Sequence, residues 1–538
     1  MVSQSTKALL VLFVLYLVGE VASLRELTYE DKVNIANGIP APENVDPEEL
    51  FTFNLQLDQI RSQIEKLRGG VIGDSHQTED RYLHQLCLET SCKRTTICDK
   101  QNICTDVCQE GSVLVSEWLK QSLKTQRKLL DDVPFNYWYL PGTHNTAIAK
   151  SDRYGLEEDY LTSILNLVDP LSVVYIANQQ FSIIDQLNMG IRFLEIDIHW
   201  YKNDIRICHA GGIHLEKLDQ LIDDICKAFG IEFDWDSETI GCFSDDYITL
   251  NAELDKIVAW MDQPGNEDEV FVFYFDDQYD LDEWGKVPYV VDTIALYFNQ
   301  TAFTPGDKQQ YFPNSWPTAK EMLAMGKRVI LTSRTDYGEE MYSYLFSRDA
   351  LWTEYDLSDY QGFSECSLAS TVAVNQGNIT RVLGDSLIYG PFFDGTTGGL
   401  LIETSEQSLS ACNLNFPCLD QASPDLMEGM VWTWDRDQPE QDQENICVAM
   451  TSFGKWRSLD CYAKLHYACQ NSTDVLSDYW RVSSIADVWS KGNDICKAEF
   501  GTSYRFAVPV NGFLNSLVHE QATSKKTLPL WINYSSYP

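Results

Sequence analysis

The rhythm of hydrophobic and polar positions changes at about residue 135. Before it, Leu57, Ile60, Ile64 and Leu67 recur at helical spacing within 55–67, and Val113 to Leu130 reads as a second helix. After it, short apolar runs alternate with helical patterns, the order expected of a parallel sheet or barrel. Strands are predicted at 136–140, 191–198, 269–276, 328–333, 351–355, 385–390, 399–403 and 429–434, and helices at 214–228, 252–262, 287–299 and 318–325. Eight strand candidates fit a barrel.

One predicted strand carries charge where it should carry only core. Within IRFLEIDI, 191–198, side chains alternate faces, so Glu195 and Asp197 share one side with His199 beyond them. Phe193, Leu194, Ile196 and Ile198 supply the packing. Unpaired buried carboxylates are costly, and a divalent cation would relieve them. For an isolated Glu-x-Asp, pairing with Arg192 or another cation is the simpler alternative. His209, after the short strand Asp204 to Ile207, is within reach of the same place. Upstream, Trp138 to Leu140 reads as a strand and Pro141-Gly142 as a turn. Thr143, His144 and Asn145 then sit at a strand end. Downstream, EVFVFYFDDQ ends in Asp276 and Asp277, and KRVILTSRTDYG contains Arg334.

The elements GTHN, QLNMGIRFLEIDIH and CHAGG together resemble the X region of phosphatidylinositol-specific phospholipase C and the wider PLC-like phosphodiesterase group. The likeness is good from about 135 to 212 and extends, with weaker motifs, to about 435. It implies an α/β fold, a distorted TIM (β/α)8 barrel with its site at the C-terminal strand ends. It also implies His144 and His209 as catalytic histidines, with His209 the general acid. Asn145, Glu195, Asp197 and Asp276 match the metal ligands of the calcium-dependent members. Asp276 stands where many of them carry Glu, and Asp277 is the fallback. Arg334 matches a substrate-contacting position, and its planar fork suits phosphate. An exposed salt bridge is the competing role for Arg334. Arg192 is a second substrate-binding candidate, or else it orients Glu195 or Asp276. Thr332 and Ser333 replace a lysine-rich element, which argues against preference for polyphosphorylated head groups. All-oxygen ligands favour Ca²⁺, with Mg²⁺ the alternative.

Length and composition set the frame. A chain of 538 residues suggests two or three domains. Residues 1–23 read as a signal peptide, 24–130 as a cysteine-rich N-terminal extension, 131–435 as the barrel and 436–538 as a small disulfide-braced C-terminal region. Fifteen cysteines suit an oxidising compartment. Cys87, Cys92, Cys98, Cys104 and Cys108 form a cluster better explained by disulfides than by zinc. Cys226 and Cys242 form a candidate disulfide across an acidic loop. Cys208 is a candidate buried free thiol, with a disulfide an equal alternative. Sequons at Asn299, Asn378, Asn471 and Asn533 are compatible with glycosylation. The expectation is a secreted or lumenal protein without a transmembrane helix. A formal charge of −40 excludes nucleic acid as a partner and leaves at most transient contact with a membrane surface.

Near the C-terminus the pattern changes again. Trp432-x-Trp434, Gln438-Pro439, Cys447-Val-x-Met450, Gly454-x-Trp456 and Tyr467-x-Cys469 resemble the second half of a C-type lectin domain. That resemblance implies a Cys447–Cys461 disulfide. Trp456-Arg457-Ser458 departs from the lectin calcium motif, so packing against the barrel is expected rather than sugar binding. Trp480, Trp489, Phe506 and Trp531 would supply the core there. The function expected is phosphodiester cleavage, most simply of phosphatidylinositol-like lipids, with phospholipid or glycerophosphodiester as substrate class. The rivals are a glycerophosphodiesterase or sphingomyelinase-D-like enzyme, and a non-catalytic binding module on the same scaffold.

Overall fold

The computed structural model describes residues 90–98, 102, 104–156, 173–174, 177–201, 203–208, 247–277, 280–356, 360–368, 372–373, 377–383, 388–389, 409–439, 446–471 and 474–535. The expected signal peptide, the 55–67 helix, His209, the 214–228 helix, Cys226, Cys242 and the 399–403 strand lie outside these residues.

The core is a parallel sheet. Its strands are β1 (Gly142–Thr143), β2 (Phe193–Tyr201), β3 (Phe271–Asp276), β4 (Val329–Ser333), β5 (Leu345–Ser347), β6 (Thr353–Asp356), β7 (Thr380–Leu383) and β8 (Phe416–Leu419). They run side by side in the order β5-β4-β3-β2-β1-β8-β7-β6, every neighbouring pair parallel. The first strand in sequence therefore pairs with the last. The path ends at β5 and β6, which are joined by the short helix Arg348–Leu351 and not hydrogen-bonded to one another among the described residues. The α/β class and the parallel sheet are thus observed, whereas a closed TIM barrel is not.

Three sequence expectations are corrected. Residues 135–137 form a 3-10 turn, and the strand is Gly142–Thr143, just beyond the Pro141 expected to turn the chain. The described residues of 385–390, Ile388–Tyr389, are strand but pair with Val173–Val174 outside the main sheet. The apolar run 429–434 is no strand of the sheet. It follows the helix Pro424–Gly429 and buries Val431, Trp432 and Trp434. Of the two alternatives for Cys208 the disulfide is the one observed, and the free thiol among the described residues is the buried Cys418.

Helices cover the sheet with their apolar stripes. α1 (Glu117–Lys128) is capped by Ser116 and buries Leu119 and Leu123. α2 (Ile183–Met189) is capped by Ser182 and ends on Gly190 at φ 106°, where only glycine is at ease. α3 (Leu250–Met261) and α4 (Val287–Phe298) follow β2 and β3. No helix among the described residues is long and apolar enough to cross a membrane.

Two modules brace this core. The hairpin Arg94–Cys98/Cys104–Cys108 is stapled by Cys92–Cys108 and Cys98–Cys104. Beyond it, the Gly111 and Val113 amides donate to Asp185 at 3.0 and 2.9 Å, tying the strap to α2. Lys256 of α3 reaches Glu110 at 2.9 Å, Glu253 at 3.2 Å and Asp152 at 3.7 Å. The C-terminal region forms its own sheet from Ile446–Met450, Trp456–Asp460, His466–Asn471, Trp480–Val482, Tyr504–Phe506 and Leu530–Ser535. Cys447–Cys461 is present as the lectin resemblance implied, and Cys469–Cys496 adds a second clasp. Trp434, bridged to Trp456 of this sheet, donates through Nε1 to Thr125 Oγ1 of α1 at 3.0 Å.

Two predictions follow from packing and burial. A Cβ on Gly142 would meet Phe193 at 2.8 Å across the β1–β2 pair. Gly142→Ala should therefore lower stability by about 1–3 kcal/mol in denaturant titration, the usual cost of overpacking. Burial, opposed by Lys256, raises Glu253 from 4.5 to about 7. The fold thus favours its neutral form, and this contribution to stability is lost as pH rises from about 4.5 to 7. Glu253→Gln should gain stability relative to wild type across that interval. A constant difference in urea midpoint between the two proteins would contradict the assignment.

Candidate active site

The interior at the C-terminal strand ends is built in layers. Its floor is aromatic: Phe193 of β2 lies 4.8 Å from Phe416 and 5.5 Å from Trp352, and Tyr274 of β3 lies 5.4 Å from Trp352. Such rings fill a barrel-like interior without leaving polar groups to satisfy.

Above the floor sits Arg381 of β7, only 1% exposed. Its guanidinium lies 5.0 Å from the Tyr274 ring and 5.6 Å from Phe193. One arm of the fork meets Glu195 and the other Glu354 of β6, while Nε donates to Cys418 Sγ at 3.2 Å. Register explains the arrangement, because Glu354 lies opposite Arg381 on the neighbouring strand. Burial would raise Glu354, but Arg381 wins and holds its carboxyl below the usual range. The Cys418 thiol is pushed up to about 12 by burial, so it stays protonated.

The next layer is acidic. Asp197 of β2 is in register with Asp276 of β3. Ligand atoms of Glu195, Asp197 and Asp276 all lie within 4.8 Å of one another. Burial raises Glu195 to about 7, with Arg381 and His144 opposing. Burial, then repulsion from Asp276 and Glu195, raises Asp197 well above the carboxylate range. Arg334, just past β4, donates through Nη1 to both oxygens of Asp276, at 2.8 and 3.1 Å. Asp277, the fallback ligand, is held on the other face by Ser333 Oγ at 2.8 Å and by Thr335 Oγ1.

The loop after β1 brings the nitrogen chemistry. The His144 amide donates to Leu419 O at 3.0 Å, and the Thr146 amide donates to Glu195 O at 2.8 Å. The loop is thus pinned between β8 and β2. Asn145 between them takes φ 46°, a left-handed conformation that Asn tolerates better than most residues. Its Nδ2 donates to Asn178 Oδ1 at 3.0 Å, fixing the amide. His144 Nδ1 lies 2.9 Å from Asp420 Oδ1, at the end of β8. This contact sets a carboxylate against Nδ1, the arrangement that orients an imidazole for proton transfer.

The structure therefore brings His144, Glu195, Asp197, Asp276 and Arg334 together, with Asn145 beside them. It does not bring Arg192 there. Arg192 is buried at the opposite end of β2, where Nε pairs with Glu269 at 2.9 Å and the guanidinium lies 4.8 Å from the Trp260 ring. Its cation neutralises Glu269, which Arg127 also contacts at 2.7 Å. The Cys208 amide, one residue before His209, donates to Asp197 O at 3.4 Å. Sequence reasoning missed Arg381, Glu354, Asn178 and Asp420. The signal for Asp420 was its place after the apolar FPCL, an acid at a strand end.

The donor set fits a hard divalent cation. Three oxygen donors converge, Glu195 and Asp197 buried and Asp276 partly so, and their mutual repulsion is what such an ion would relieve. Asn145, Glu195, Asp197 and Asp276 are the residues that would hold it.

Comparison with known proteins agrees with this geometry. Residues 172–230 and 238–384 match the family described as PI-PLC X 1. The match includes Glu195, Asp197, Asp276, Arg334 and Arg381, while His144 and Asp420 lie outside it. An uncharacterized protein of Mycobacterium tuberculosis, present in two strains, is 21% identical over 434 residues, covering 78% of this chain and 80% of the relative. PI-PLC X domain-containing protein 1 of Arthroderma benhamiae is 25% identical over 201 residues, covering 36% of this chain and 52% of the relative. Over these two spans the chain is similar to PI-PLC X-type domains, and the matched residues include the acids and arginines of the site.

Proposed function

We propose that the protein is a secreted phosphodiesterase of the phospholipase C-like kind, acting on a phospholipid or glycerophosphodiester. The observation that carries this reading is His144, braced by Asp420, beside three converging carboxylates at the strand ends. The sheet pairs its first strand with its last, as the distorted TIM barrel of this reading requires. The disulfides support an oxidising, extracellular setting.

In this mechanism His144 takes the proton of the attacking hydroxyl. Asp420 orients the ring and stabilises the imidazolium that forms. His209 is the general acid that protonates the leaving alkoxide. Arg334 offers its guanidinium to the phosphoryl oxygens. Asn145, Glu195, Asp197 and Asp276 would hold Ca²⁺, or alternatively Mg²⁺, whose charge would lower the nucleophile's pKa and offset that of the phosphoryl oxygens. Attack by an inositol 2-hydroxyl gives a cyclic phosphate, whereas attack by water gives an open one.

His144→Ala should lower kcat by about 10²–10⁴-fold while the circular dichroism spectrum stays native. Asp420→Asn should lower it less and move the acid limb of the pH–rate profile downward, because the imidazolium loses its anionic partner. Undiminished turnover in His144→Ala would sink the assignment.

A further inference from the structure

The two arginines of the site are held very differently. Arg381 is fully buried, with both fork arms and Nε committed and an aromatic ring on its face. Arg334 is about a third exposed, at 34%, and touches Asp276 through one terminal nitrogen only. Its amide donates to Phe275 O at 2.9 Å, so the backbone is anchored beside β3 while the long side chain keeps its pivots. A single nitrogen shared between two oxygens is a weaker grip than the parallel fork-to-fork pair that Arg and carboxylate can make. Asp276 also belongs to the acidic trio, so the oxygens that hold Arg334 are the ones a cation among the trio would draw on.

We propose that Arg334 is an exchangeable guanidinium, clamped by Asp276 until a divalent cation takes that carboxylate, and then released to bind a phosphate anion. The proposal rests on the phosphodiesterase reading and deepens it. It makes Arg334 a positioning device whose availability is set by the occupancy of the acidic trio. Arg381 cannot play this part, because it is locked in place beneath the cluster. Cation and phosphate then bind with positive coupling, and by linkage each tightens the other equally. An arginine suits the exchange because its charge and planar fork match a carboxylate and a phosphate equally well.

Titration calorimetry of the full chain with inorganic phosphate in EDTA tests this. Asp276→Asn, which removes the clamp, should bind phosphate about tenfold tighter than wild type, the scale of one charged hydrogen-bonded contact. Adding Arg334→Gln to that variant should abolish the gain. No gain in Asp276→Asn, or a gain of equal size with Arg334→Gln present, would show mere removal of negative charge and overturn the proposal. Should Asp276→Asn fail to fold, a second measurement replaces it. In wild type, Ca²⁺ should tighten phosphate binding, and in Arg334→Gln that mutual tightening should fall several-fold. Equal tightening in the two proteins would overturn the exchange. Both titrations read binding without turnover. Exchange in a chain that cleaves no phosphodiester would defeat the functional reading alone, and turnover without exchange would defeat this inference alone.

Discussion

The site depends on one buried cation. Arg381 of β7 lies between Glu195 of β2 and Glu354 of β6, with rings beneath it and the acidic trio above. Taking a guanidinium and two carboxylates from water is costly, and their attraction repays it only with good geometry and filled hydrogen bonds. That condition is met by Nε on Cys418 Sγ and by register across β6, β7 and β8. Removing a single partner of such a pair typically costs about 3–5 kcal/mol. Glu195 is thereby fixed in place while Asp197 and Asp276 remain above it to share a cation.

Around that centre the chain is organised to hold one loop. The β1–α2 connection carries His144 and Asn145 and is tied to β8 and β2 by backbone hydrogen bonds. The N-terminal hairpin reaches the same connection, with Arg153 Nη2 donating to Cys98 O at 2.7 Å. The segment leading into the C-terminal sheet is tied to α1 by two indoles, Trp434 donating to Thr125 Oγ1 and Trp118 donating to Asp435 O. Disulfide-stapled modules thus stiffen a scaffold whose own strands near the site are two to four residues long in β1, β7 and β8.

Legibility in the sequence followed strand length and contrast. β2, β3 and β4 are continuous apolar runs, and the acids and arginine at their ends stood out against them. The trio and Arg334 were therefore readable, as was His144 after Pro141-Gly142. β7 and β8 were not. Thr380-Arg381-Val382-Leu383 is too short and too polar to read as core, and Pro417 inside β8 argues against a central strand. Their chemistry, Arg381 and Asp420, was lost with them. The tryptophan-rich run 429–434 misled for the converse reason, being apolar because it packs under a second sheet rather than within the first. Arg192 looked like part of the site because it precedes Glu195 by three residues. A strand, however, places residues three apart on opposite faces, and Arg192 follows its own face to Glu269.

The central claim is that this constellation cleaves a phosphodiester with the help of a hard cation. Phosphorus NMR of the full chain with phosphatidylinositol, in EDTA and then with Ca²⁺ restored, reads it most directly. A cyclic inositol phosphate signal that appears only with the ion is the result the site predicts. An open phosphate would keep the phosphodiesterase and replace the inositol hydroxyl with water as the attacker. No product from phosphatidylinositol, lysophospholipid, sphingomyelin or glycerophosphodiester, with no cation bound, would contradict the account.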